Sequence, residues 1–415
     1  EIDEIDRKLE SVSGKYSVKL ISARNVIHDR LEAMDAVPKF AQTDQIFIIS
    51  GWLPEAAVED MEKALAEKFG NKVVLSVVDI REEHGEDDTP VSLHNNPFTR
   101  YFEIIYMLSK YPRYGTVDPT VIFAAFFPIL VGMMVGDIGY GLIVMVAGWI
   151  VHRKYSQKPM LNMIGFVLTI SGAWVMFFGV IYLEFFGDWL YRWLGLLNED
   201  GDLVKYLAGS EHSIFKYPLD RIEGFTFMLA VSLIIGWVHM GIGLVIGVIN
   251  GHREKNYKHA MEKGGMLLVL TGVLAILGNF AFPTWPKFIT IGLGVIFSIG
   301  GLVLCGVGAG MGGFIEGIVS AGNIFSYARL IAIGLASVIM ANVANKLALE
   351  QAKSGWVGVI VGVVVFILLQ SLNLVIGVFS PSIHSLRLHL VESFGKFFEP
   401  ARIKYEPFRK TGGEE

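Results

Sequence analysis

The chain has 415 residues, with 35 lysines and arginines against 40 aspartates and glutamates, and 53% of it is hydrophobic at a mean hydropathy of +0.50. Such apolarity excludes an ordinary soluble chain of this length and points to a polytopic membrane protein. The net charge of −5 excludes an electrostatic nucleic-acid partner, and the single Cys305 leaves no intrachain disulfide and no redox pair.

The opening EIDEIDRKLE has no starting Met and lies in mid-pattern, so the chain reads as the back part of a longer protein. Apolar residues at Ile2, Ile5, Leu9, Val12, Tyr16, Leu20, Ala23, Ile27, Leu31 and Met34 alternate three and four apart, with charges between them. That spacing predicts a helix over 1–36, as one strand of a coiled coil or as a plain amphipathic helix. Within 37–117, Gln45–Ser50 predicts a strand, Pro54–Phe69 an amphipathic helix stopped by Gly70, and Val73–Ile80 a second strand. These make a small α/β domain without a phosphate-binding glycine loop. The linker REEHGEDDTPVSLHNNP is polar, and its histidines and acids match no standard metal spacing.

From Asp118-Pro119 onward the chain becomes apolar, and 118–396 holds about eight hydrophobic segments: 119–134, 137–152, 160–184, 223–250, 262–282, 287–310, 312–349 and 355–394. The fold class is therefore a mostly α-helical membrane protein with a small α/β domain and a coiled-coil helix. The loops 152–158 and 251–263 and the tail 397–415 are basic, whereas 185–222 is mainly acidic. An excess of positive charge on the inner side places both termini in the cytoplasm.

Polar residues inside these segments are the functional candidates, because charge in a bilayer is costly. Asp137 in VGDIGYG suits a hairpin cap, helix packing or an ion path. Glu184 and Asp188 in YLEFFGD suit an interface or a functional role, and His239 a hydrogen-bonded structural role or one titrating near neutrality. Asn373, Ser380, His384 and Arg387 fall within about 60° on a helical wheel and form one wet stripe, with a kink expected at Pro381. Arg387 is either part of that stripe or a snorkelling residue.

The most informative stretch is Gly312–Glu350, with Arg329 near its middle. An arginine at a bilayer centre costs about 2.5–3.5 kcal/mol on insertion scales. At about 100° per residue its face collects Gly322, Ser326, Ala332, Ala336 and Ser337, while Ile324, Tyr327, Ile331, Leu335 and Val338 lie opposite. A small face allows close approach of another helix in lipid. Wholly helical, the stretch would be roughly twice the hydrocarbon thickness, so it must tilt or break.

Three motifs, PTVIFAAFFPILVGMMVGDIGYG, SYARLIAIGLA, and HSLRLHLVESFGKFFEP followed by KYEPF, resemble the large membrane subunit of V-type and archaeal A-type rotary ATPases, subunit a or subunit I. IISGWLPEAAVEDMEKAL resembles that family's cytoplasmic domain. The resemblance implies a stator subunit with two long, tilted final spans, whose essential arginine, here Arg329, faces a rotating proteolipid ring. It further implies two half-channels for H⁺ or Na⁺, with Arg387, His384, Asn373 and Ser380 in ion translocation and Asp137, Glu184 and His239 as a far-side access path. The ring-facing surface would be Gly322, Ser326, Ala332, Ala336 and Ser337. Implied partners are the ring, peripheral stalk subunits and, indirectly, the soluble ATPase sector, in the cell membrane of an archaeon or bacterium. No cofactor, metal or catalytic site is expected. Eukaryotic members carry a glutamate where Gly377 stands and a histidine where Ser337 stands, so a cytoplasmic half-channel here would rely on Asn373, Ser380, His384 and water. The residues by themselves also admit a secondary transporter, an ion channel or a passive membrane anchor.

Overall fold

The structure is a computed structural model that describes residues 2–43, 45–78, 89–196, 219–281, 286–401, 405, 407 and 408. Two units emerge, residues 1–93 with 401–415, and residues 94–400.

In the first unit, helix α1 spans Ile2–Ala36 and ends before Pro38. Its apolar positions Tyr16, Leu20, Ile27, Leu31 and Met34 stand exposed. Strands β1 (Ala41–Gln42) and β2 (Phe47–Ile48) pair antiparallel, Ala41 opposite Ile48. Helix α2 follows at Val58–Phe69, after a 3₁₀ turn at Glu55–Ala57. Gly70 ends it at φ +59, a left-handed conformation that glycine reaches without a Cβ penalty. The second expected strand does not form over its described residues 73–78, and the rest of it lies outside the described residues. The sheet shrinks to a two-residue hairpin because Val74, Val77 and Val78 find no apolar layer and remain exposed.

The second unit is helical. Its helices are α3 (Thr120–Val135), α4 (Ile138–Lys154), α5 (Pro159–Tyr182), α6 (Trp189–Trp193), α7 (Phe225–Arg253), α8 (Tyr257–Ala281), α9 (Lys287–Asn323), α10 (Ala328–Ala352) and α11 (Trp356–Arg387). Among the described residues, five helical runs are long and apolar enough to cross a membrane: 159–182, 225–253, 257–278, 287–352 and 356–396. Helix α3 is apolar but shorter. The expected segments 287–310 and 312–349 join into one run with two irregularities. The first is at Ala309 and Gly310, where φ turns to −129 and +65. The second is a 3₁₀ turn at Ile324–Tyr327.

Helix α3 is apolar all round and buried along most of its length, which makes it the centre of the bundle rather than a lipid-facing span. It packs on α5, α10 and α11. The core joins Leu130, Met133 and Met134 of α3 to Tyr182, Met228, Met240, Leu270, Tyr327, Leu330 and Leu388. Outward residues of α9 and α11, such as Phe288, Ile296, Ile367 and Leu368, are exposed and apolar, as a lipid-facing surface requires. Asp118 anchors the entry to α3 by accepting from the backbone N–H of Thr120 at 2.8 Å and from Asn95 at 2.9 Å. Burial and this carboxylate push the Tyr106 hydroxyl above its usual pKa.

Glycines set the antiparallel α4–α5 pair. Gly141 and Gly148 face Gly172 and Gly165, and a Cβ at Gly172 would lie 2.5 Å from the Met145 nitrogen. Packing rather than the hydrophobic effect drives helix association in lipid, so this close seam carries the pair. Gly172→Val is therefore expected to lower stability by about 1–3 kcal/mol or more, the cost of overpacking, read as a lower thermal midpoint in detergent than Gly278→Val. Gly278 serves as control because a Cβ there meets nothing within 4 Å.

Candidate functional site

Arg329 enters at the first turn of α10, immediately after the 3₁₀ turn, so it sits at a break in the run rather than in mid-helix. The bulky side of this segment is turned inward: Ile324, Tyr327, Ile331 and Val338 are buried. Gly322, Ala332 and Ala336 are exposed, and Ser326 and Ser337 are half-buried. Arg329 shares that outward side, its side chain 19% exposed, and Nη2 lies 3.8 Å from Oε1 of Glu392, which is 2% exposed. Glu392 lies in a π-helical turn, Leu388–Ser393, that continues α11 and buries His389, Glu392 and Ser393.

Behind this pair sits a buried aromatic and imidazole cluster. His239 of α7 meets the Tyr327 hydroxyl at 2.8 Å through Nδ1, stacks on Phe126 and lies 4.5 Å from the His389 ring. Nδ1 of His389 donates to the Ser385 carbonyl at 2.8 Å. His239 therefore packs against Tyr327 and His389, which neighbour Arg329 and Glu392 along the chain.

Helix α11 runs from Trp356 to Arg387 with Pro381 inside it. The stripe grades along the helix: Asn373 is buried, Ser380 and His384 half-buried and Arg387 exposed. His384 lies within electrostatic range of both Arg329 and Arg387. Asn373 donates to the Tyr140 hydroxyl at 2.9 Å and to the Ser337 carbonyl at 3.1 Å, so α11 is tied to α4 and α10.

Two further buried groupings hold the remaining candidates. Asp137 caps α4, accepting from Tyr140 N–H at 3.0 Å, and its second oxygen accepts from Gly187 N–H at 2.8 Å. Gln370 donates to Asn345 at 2.8 Å and accepts from Tyr140, while Asn345 donates to Asp188 at 2.7 Å and Arg192 pairs with Asp188 at 2.5 Å. Glu184 forms a buried ion pair with Arg221, which also donates to the carbonyls of Met134 and Val135 and covers the Tyr182 ring at 4.7 Å.

Arg221, Gln370, Asn345, His389 and Glu392 were not separable from the sequence. Arg221 ends an acidic loop and Glu392 closes an apolar run, both places where charge ordinarily meets water. Only their shared feature, a charge bordering a glycine-rich or apolar motif, marks them. Among the described residues no cluster of ligands suits a metal ion.

These helices and buried charges define a membrane protein with a polar interior, bordered by an arginine on a small outward face. The sequence matches the family model of the V-type ATPase 116kDa subunit family over residues 4–193 and 313–410, and the chain belongs to that family. It is 30% identical over 411 residues to the A-type ATP synthase subunit I of Archaeoglobus fulgidus, covering 87% of this chain and 58% of that protein. It is 28% identical to subunit I of Methanocaldococcus jannaschii, covering 97% of this chain and 60% of the relative. The V-type ATP synthase subunit I of Borreliella burgdorferi is 22% identical over 99% of this chain. The chain thus spans 60% of the length of its Methanocaldococcus relative.

Proposed function

We propose that the chain is the ion-translocating stator part of a rotary ATPase, in which Arg329 faces a rotating ring of proteolipid subunits and separates two half-channels for H⁺ or Na⁺. The observation that carries this reading is the orientation of 322–338: Ile324, Tyr327, Ile331 and Val338 point inward, Gly322, Ala332 and Ala336 stand exposed, and the part-exposed Arg329 lies on the side of the small residues. A ring carboxylate crosses lipid only when neutralised by its ion, and a fixed guanidinium beside it favours the charged form and so ion release. The ion then leaves through one half-channel and is replaced through the other, so crossing requires rotation. Dividing the run 287–352 at Gly310 makes six long spans, and the shorter α3 and α4 would bring them to the eight this arrangement uses. Ser380, His384 and Arg387 would line access on one side of Arg329 and the Asp137, Asn373 and Asn345 region on the other.

Photo-cross-linking from a thiol-reactive probe attached at an introduced cysteine tests the partner. Ala332→Cys and Ala336→Cys in the assembled complex are expected to form adducts with the proteolipid ring, whereas Val338→Cys, on the buried side, is not. Cross-links at Val338 but not at Ala332 or Ala336 would place the ring on another face and overturn the reading.

A further inference from the structure

The Arg329 guanidinium already has an anion inside its own chain. Oε1 of Glu392 lies 3.8 Å from Nη2, longer than a closed hydrogen bond, and the pair is nearly desolvated on the carboxylate side. Nη1 of Arg329 and Oε2 of Glu392 are each buried without a hydrogen-bond partner among the described residues. An ion pair held at 3.8 Å, with Nη1 and Oε2 unpartnered, has capacity for another partner, since a guanidinium offers five donors in a planar fork. Glu392 reaches this position from the π turn after α11, and π turns are frequent at functional sites.

We infer that Glu392 is the resident counter-ion of Arg329, a positioning residue that holds the guanidinium between visits of successive ring carboxylates and competes with each of them for it. The inference rests on the motor reading above. When a ring carboxylate arrives, Arg329 turns its free Nη1 edge to it and weakens its hold on Glu392. When the ring moves on, Glu392 recovers the guanidinium, so Arg329 never becomes an uncompensated charge in lipid. The attraction that the ring carboxylate feels is thereby a difference between two carboxylates rather than the full pairing, which keeps the arginine from trapping the ring. The other ionisable neighbours are Tyr327 of the 3₁₀ turn, His384 and Arg387 of α11, His389 of the π turn and His239 of α7. None of them supplies a second carboxylate.

Two measurements on the assembled complex test this. In the first, thermal midpoints are compared for Arg329→Gln, Glu392→Gln and the double variant. Each single change is expected to lower the midpoint, and the double variant to be no worse than the poorer single one, because both charges leave together. Additive losses would show that the two groups do not pair and would overturn the inference. In the second, ATP-driven uptake is followed as a function of the translocated ion, pH for H⁺ or concentration for Na⁺. Without its competitor, Arg329 holds the ring carboxylate more tightly, so Glu392→Gln is expected to need about tenfold more ion for half-maximal uptake, with Glu392→Asp recovering part of the shift. An unchanged ion dependence in Glu392→Gln overturns the exchange role. Uptake that survives Arg329→Gln overturns the motor reading instead, so the two failures are distinguishable.

Discussion

Arg329→Gln in the assembled complex is expected to abolish ATP-driven ion uptake into vesicles, a loss of about a hundredfold or more, while assembly and ATP hydrolysis by the soluble sector persist. Glutamine keeps much of the length and hydrogen-bonding shape of arginine but not its charge. Pairing of a desolvated charge with its partner is worth about 3–5 kcal/mol when one side is removed, which corresponds to more than two decades in rate. On the proposed reading, a ring carboxylate passing α10 would without the cation have no reason to release its ion there, and an ion in one half-channel would pass directly to the other. Arg329→Lys is expected to fail as well, because a compact, strongly hydrated ammonium cannot span Glu392 and a second carboxylate as a planar fork does. Unchanged uptake in Arg329→Gln would make the arginine structural.

The second large effect is on stability. Arg221→Ala is expected to cost about 3–5 kcal/mol, because it leaves Glu184 buried without its cation and strips a donor from the carbonyls of Met134 and Val135. Those carbonyls are the last of α3 before the Gly136 turn, so their loss frays the junction of α3, α4 and α5. Glu184→Gln should cost less, since a neutral amide still accepts from Arg221 and the helix-end bonds survive. The check is the thermal midpoint of each variant in detergent, with Arg192→Ala, whose partner Asp188 keeps its bond to Asn345, as the milder comparison. Equal midpoints for Arg221→Ala and Arg192→Ala would show that the Glu184 pair carries no special weight.

Much of the architecture was legible in the residues. The apolar segments after Asp118, the helix over 54–69 and its stop at Gly70, and the division of 322–338 into a small and a bulky face all follow from periodicity, because side-chain direction along a helix is fixed by its turn. The small α/β domain was less legible. A strand is stabilised by its partners, and the valines at 73–78 had nothing to pair with that the sequence could name.

The candidate site divides in the same way. Residue types in apolar runs singled out Arg329, Asp137, Glu184 and His239, since the bilayer penalises each of them. What each one meets was decided by tertiary structure. Asp137 caps a helix and pins Gly187 across 50 positions of chain, and His239 meets Tyr327 and His389 rather than joining Glu184. Glu392 and Arg221, which border their apolar runs, gave no sign of burial. The sequence alone determined that this chain is a membrane helix bundle with one arginine on a small face, because hydropathy and helical period are local. Tertiary structure decided which carboxylate answers that arginine, because pairing across helices depends on where the chain turns, at Gly310, at Ile324–Tyr327 and in the π turn after Arg387.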